Sequence, residues 1–64
     1  MTKKEMAEVI LQNSTCRGVS ETRFYKNVTR FAKEWIERAY NMVMNSESED
    51  KKKLNANFAM QFLR

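Results

Sequence analysis

RFYKNVTRFAKEWIERAYNMV, residues 23–43, is the stretch on which the reading of the fold turns. It holds no proline and no glycine, and its apolar residues recur at helical spacing: Phe24, Val28, Phe31, Ala32, Trp35, Ile36, Ala39, Met42 and Val43. At about 100° per residue these positions form one broad band around roughly half of a helix. Tyr25 and Tyr40 sit toward one edge of it. Ser20 is a fair N-cap. The spacing predicts a single long helix from about Glu21 to about Met44. A helix with this much apolar surface needs two neighbours, or one neighbour and another subunit.

On the N-terminal side, Thr2 followed by Glu5 is a capping-box pattern. Met6, Val9 and Ile10 recur behind it, which predicts a short helix near residues 3–12. NSTCRGVS, residues 13–20, breaks that pattern with turn-forming residues. On the C-terminal side, NSESED, residues 45–50, is a second break. Ser46 with Glu49 repeats the capping-box pattern. A third helix is expected over about Ser48 to Leu63, with Leu54, Phe58 and Phe62 stepping by four along its apolar face and Ala59 and Leu63 widening it. The short connection makes the second and third helices an antiparallel hairpin. The expected fold is all-α: a single small domain over residues 1–64, with a long central helix paired to the C-terminal helix and a short N-terminal helix beside them.

Composition agrees. Hydrophobic residues make up 42% and charged residues 31%, a globular balance. The one glycine and the lack of proline disfavour a turn-rich β fold. A chain of 64 residues is marginal as a lone domain. Its single cysteine, Cys16, cannot form an internal disulfide, and without histidine no good zinc ligand set exists. Oligomerisation is the remaining route to extra stability. No apolar run approaches the roughly 18 residues of a membrane span, and no secretory leader is visible. A cytoplasmic setting is expected, which the lone thiol suits.

The basic residues of the opening stretch fall at Arg23, Lys26, Arg30 and Lys33, in steps of three, four and three. On one helix they lie within roughly 80° of arc, opposite the apolar band. Such a face is an electrostatic footprint for phosphate. Glu34 stands four residues from both Arg30 and Arg38, and Glu37 four from Lys33, so i,i+4 pairing is expected to neutralise part of it. Arg23 and Lys26 remain without a nearby acid, and Arg17 precedes them in the loop. They sit at the positive end of the helix dipole, where cations disfavour the helix but anions are welcome. Arg17, Arg23, Lys26 and Arg30 are the candidate anion or nucleic-acid site, to be weighed against an ordinary solvated face.

Chemistry is hard to find. The commonest general base is absent, and Cys16 lacks a partner base. ESEDKKK, residues 47–53, is nearly charge-balanced and reads as the start of a helix. A helix-turn-helix would need a shorter break than residues 13–20 provide. No catalytic residue, cofactor or metal is expected.

FYKNVTRFAKEWIERAY (24–40) followed by SEDKKKLNANFAMQFL (48–63) resembles the helical hairpin of phage anti-CBASS proteins that sequester cyclic nucleotides. That family assembles into oligomers with nucleotides between subunits, and the resemblance implies the same here. The small-residue-rich C-terminal helix of the family is not reproduced, and no site residues carry over.

The leading expectation is a small, non-catalytic regulatory or inhibitory protein of the style carried by phages and mobile elements. It would bind a host protein, or associate with itself, through Phe31, Trp35, Tyr40 and Met42, since aromatic anchors dominate interfaces. The alternatives are a nucleic-acid-binding regulator and a nucleotide-sequestering oligomer. No membrane partner is expected.

Overall fold

The computed structural model describes residues 1–64 and is all-helical. Four helices follow in order: α1 (Lys3–Asn13), α2 (Glu21–Thr29), α3 (Lys33–Met44) and α4 (Glu49–Leu63).

α1 begins as a reciprocal capping box. The Glu5 N–H donates to Thr2 Oγ1 at 3.1 Å, and the Thr2 N–H donates to Glu5 Oε1 at 2.9 Å. The box holds the Glu5 carboxyl below its ordinary value of 4.5, chiefly through the Thr2 backbone hydrogen bond. The helix packs against each of the other three and buries Met6, Ala7 and Ile10 completely. It is the centre of the fold rather than an accessory to the hairpin. In the following loop Gly18 turns the chain at φ +71°, the left-handed region open to glycine. Asn57 clamps the loop to α4: it accepts the Thr15 N–H at 2.8 Å and donates to Thr15 Oγ1 at 2.9 Å.

The long central helix expected over residues 21–44 is two helices, broken at Arg30–Ala32. The cause is tertiary. A straight 24-residue helix would run about 36 Å, whereas the longest extent of the molecule is 29 Å. Breaking it lets Phe24 and Val28 of α2 enter the same core as Ile36, Ala39 and Val43 of α3. The last turn of α2 tightens, with the N–H groups of Arg30 and Phe31 donating to Asn27 and Val28 three residues back. Carbonyls freed by the break find a donor from α1: Lys3 Nζ lies 3.3 Å from the Thr29 oxygen and 3.0 Å from the Phe31 oxygen. Ala32, at the N-cap of α3, supplies no side-chain cap.

α3 and α4 form the expected antiparallel hairpin, with Trp35 beside Phe62 at one end and the Met42 carbonyl near Asn55 at the other. The cap of α4 is Ser48, whose Oγ accepts the Lys51 N–H at 3.2 Å. Ser46, the expected cap, is used otherwise: its hydroxyl donates to the Met42 oxygen and accepts from Asn55 Nδ2 at 2.8 Å.

Twelve hydrophobic residues form one core, and no buried polar side-chain atom lacks a partner. The Cα radius of gyration is 10.6 Å, against about 10.7 Å for a compact chain of this length. The core therefore closes within one chain. Of the wide apolar band of residues 24–43, Phe24, Val28, Ile36, Ala39 and Val43 face this interior from two helices, while Phe31, Trp35 and Met42 lie at its outer edge. No helix is long and apolar enough to cross a membrane.

Candidate functional site

The outer surface of the α3–α4 hairpin carries an aromatic ladder. Phe31 stacks on Trp35 with ring centroids 4.7 Å apart. Trp35 meets the edge of Phe62 at 5.7 Å, and Phe62 meets Phe58 at 5.6 Å. Phe58 is 53% exposed, Phe62 50% and Leu54 67%. Met42 is 36% exposed and lies about 20° from Trp35 around α3.

This surface exists because α4 has two apolar faces. Ala56, Ala59, Met60 and Leu63 enter the core, while Leu54, Phe58 and Phe62 project about 150° away. Two alanines on the inner face give α4 a slim contact, so the large side chains are left outside. The expectation that Leu54, Phe58 and Phe62 lead the packed face is thus reversed. Of the predicted partner-binding residues, the ladder takes in Phe31 and Trp35, with Met42 on the same side of α3. Tyr40 is not among them: it stands about 140° from Trp35 around α3, although Phe31, Trp35 and Tyr40 are alike half-buried against the core. Phe58 and Phe62 were missed as surface residues; the available signal was an apolar set in α4 too wide for one stripe.

A second surface is basic. Arg17 from the α1–α2 loop, Arg23 from α2 and Arg64 beyond α4 line an open hollow of about 430 Å³, together with Gly18, Val19, Ser20 and Phe24. A hollow of about 460 Å³ is lined by Arg23, Lys26, Arg30, Ser20, Thr22 and Asn27. Ser20 and Arg23 belong to both, so the two adjoin. No carboxylate side chain lines either one. All four predicted anion-site residues are therefore brought together, and Arg64 joins them from the far end of the sequence. Lys33 does not: the break after α2 carries it to another hollow beside Lys3, Lys4 and Tyr25.

The expected ion pairs of Glu34 with Arg30 and Arg38, and of Glu37 with Lys33, do not form. The ion pairs present are Lys51–Glu47 at 3.2 Å and Lys52–Glu49 at 3.9 Å. The break removes Arg30 from the helical register that would set it over Glu34. The basic surface is thus less neutralised than its sequence neighbours suggest.

Two further groups fall outside these surfaces. Burial raises the Tyr25 hydroxyl above its ordinary value of 10.0, with Glu8 and Glu21 adding to the effect; the Lys4 ammonium lies 5.2 Å from its ring centroid. Cys16 is half-buried, its sulfur 4.0 Å from both Asn57 Oδ1 and Arg64 Nη1. Neither arrangement brings a base, a nucleophile and an oxyanion site together.

No family model matches the chain, and neither a curated protein nor a solved structure matches it.

Proposed function

We propose that this chain is a non-catalytic protein-binding module that acts stoichiometrically through the aromatic ladder of α3 and α4. The exposure of Phe58 and Phe62, packed edge to face beside Trp35 and Phe31, carries this reading. A monomer that closes its own core gains nothing in stability by holding two phenylalanines half in water. With about 100 Å² of each ring exposed, and Leu54 beside them, roughly 300 Å² of apolar surface is available to a partner. That is the scale of the dry centre of an interface, and burying it releases about 7 kcal/mol of transfer free energy before the costs of association.

Charge narrows the partner. The chain has twelve basic and eight acidic residues, and only two of the basic ones are ion-paired. A surface with an apolar centre and an acidic rim complements it, whereas a second copy at net charge +4 repels it. The expected role is that of a small regulator or inhibitor, of the style that phages and mobile elements carry, docking on a host protein.

The test compares three proteins as bait: the wild type, Phe58→Glu/Phe62→Glu and Arg23→Glu/Lys26→Glu. A partner retained by the wild type and the basic-surface variant, and lost from the ladder variant, supports the reading. Retention by the ladder variant, with its helicity unchanged by circular dichroism, sinks it.

A further inference from the structure

We propose a second binding site on this protein: the continuous basic track of Arg17, Arg23, Lys26, Arg30 and Arg64 takes the phosphodiester backbone of a nucleic-acid duplex. This site is separate from the aromatic ladder and rests on different observations.

The residues come from three places in the fold, the α1–α2 loop, α2 and the residue after α4, yet line two hollows that share Ser20 and Arg23. None of the five side chains is ion-paired. An ordinary solvated helix face mixes both signs, as α3 does with Lys33, Glu34, Glu37 and Arg38. Here the carboxylate side chains are excluded and the polar lining is Ser20, Thr22 and Asn27; the two hydroxyls can donate to an anion, while the Asn27 amide donates to the Leu63 oxygen at 3.1 Å. Arg23 lies in the first turn of α2, where the helix dipole is positive and a cation is locally unfavourable. That arrangement weakens the helix and attracts anions.

Two adjoining hollows suit successive phosphates better than one isolated anion. The kind of nucleic acid follows from what is missing. Single strands are held by bases stacking on exposed aromatic rings. The one aromatic residue of the track, Phe24, is fully buried. The exposed rings lie on the α3–α4 hairpin instead. Contact is therefore with the backbone of a duplex, and it carries no sequence preference.

The test is fluorescence anisotropy of a labelled duplex of about 20 base pairs, titrated with the full chain. About four phosphate contacts give a slope near −3.6 in log K against log salt, so affinity should fall roughly 150-fold between 50 and 200 mM salt. Arg23→Glu/Lys26→Glu should abolish binding, and the milder Arg23→Gln/Lys26→Gln should weaken it at least tenfold with the fold intact. Lys4→Glu/Lys51→Glu makes the same change in net charge away from the track and should bind within about threefold of the wild type. Equal loss in that control would reduce the effect to net charge and overturn the site. So would the absence of binding at 50 mM salt. Binding to vesicles containing phosphatidylserine, lost in the same track variants while the duplex is ignored, would give the track to a membrane surface and overturn the assignment to nucleic acid.

Discussion

Thr2 and Glu5 close the first turn of α1 on each other, and that small device contributes to the acid limb of stability. The Thr2 backbone N–H and hydroxyl favour the charged form of Glu5 in the folded chain. A carboxyl with a lowered folded value contributes fully above its unfolded value, here 4.5, and loses that contribution as pH falls through the folded value. Thermal midpoints should therefore drop on acidification below about pH 4.5, and Glu5→Gln, which still accepts a hydrogen bond but does not titrate, should flatten the drop. Identical profiles for the two proteins would remove Glu5 from the account. Arg23 offers the opposite kind of residue-scale test. Glutamate in its place suits the helix dipole, worth about 0.3–1 kcal/mol, or about 2–6 °C in a domain this small. Arg23→Glu should thus raise the thermal midpoint while it destroys duplex binding. A residue whose loss stabilises the fold and abolishes an activity is there for the activity. Caps and dipole conflicts of this kind were legible in the sequence, because they depend on neighbours three or four residues away. The exception is Ser46: Ser48, two residues on, is equally suited, and the choice between them was made by Asn55 reaching across from α4.

At the scale of elements, sequence spacing found every helical stretch but not the break between α2 and α3. Nothing in NVTRFAKEW, residues 27–35, forbids a helix, since it contains neither glycine nor proline. The break is imposed by the need to bring Val28 and Ile36 into one core and is stabilised by Lys3, twenty-eight positions before Phe31. Lys3→Met keeps most of the stem and removes the ammonium. It should cost about 1 kcal/mol in urea denaturation and speed amide exchange at residues 30–33 without changing helix content. Unchanged exchange there would mean the break stands without its cap. α4 gives a sharper contrast, because adjacent residues face opposite ways. Leu63 is fully buried and Phe62 half exposed. Leu63→Ala should cost about 2–5 kcal/mol, whereas Phe62→Ala should cost no more than about 1.5 kcal/mol for its edge contact with Trp35. The reverse order would put Phe62 in the core and take away the ladder. Residue size misled the sequence reading here: two alanines and a methionine pack α4 more closely than the larger Leu54, Phe58 and Phe62 would.

The whole molecule carries two proposed binding surfaces whose responses to salt are expected to have opposite signs. Binding at the basic track releases counterions and weakens as salt rises. Association through the aromatic ladder is driven by apolar burial, which excluded salts such as sulfate strengthen. At low salt the net charge of +4 also keeps copies apart, and that repulsion fades once the Debye length falls from about 10 Å at 0.1 M to about 3 Å at 1 M. Light scattering should therefore give the mass of one chain, 7.6 kDa, in dilute buffer. It should rise as sodium sulfate approaches molar concentration. Phe58→Glu/Phe62→Glu should stay monomeric throughout, while Arg23→Glu/Lys26→Glu, having lost much of the repulsion, should associate at lower salt than the wild type. A wild type that is already dimeric at low salt would mean that burial of the ladder overcomes the charge, and the partner would then be a second copy. A wild type that stays monomeric in molar sulfate, where charge repulsion is screened, would mean that the ladder does not dock on a second copy and needs a partner of different chemistry.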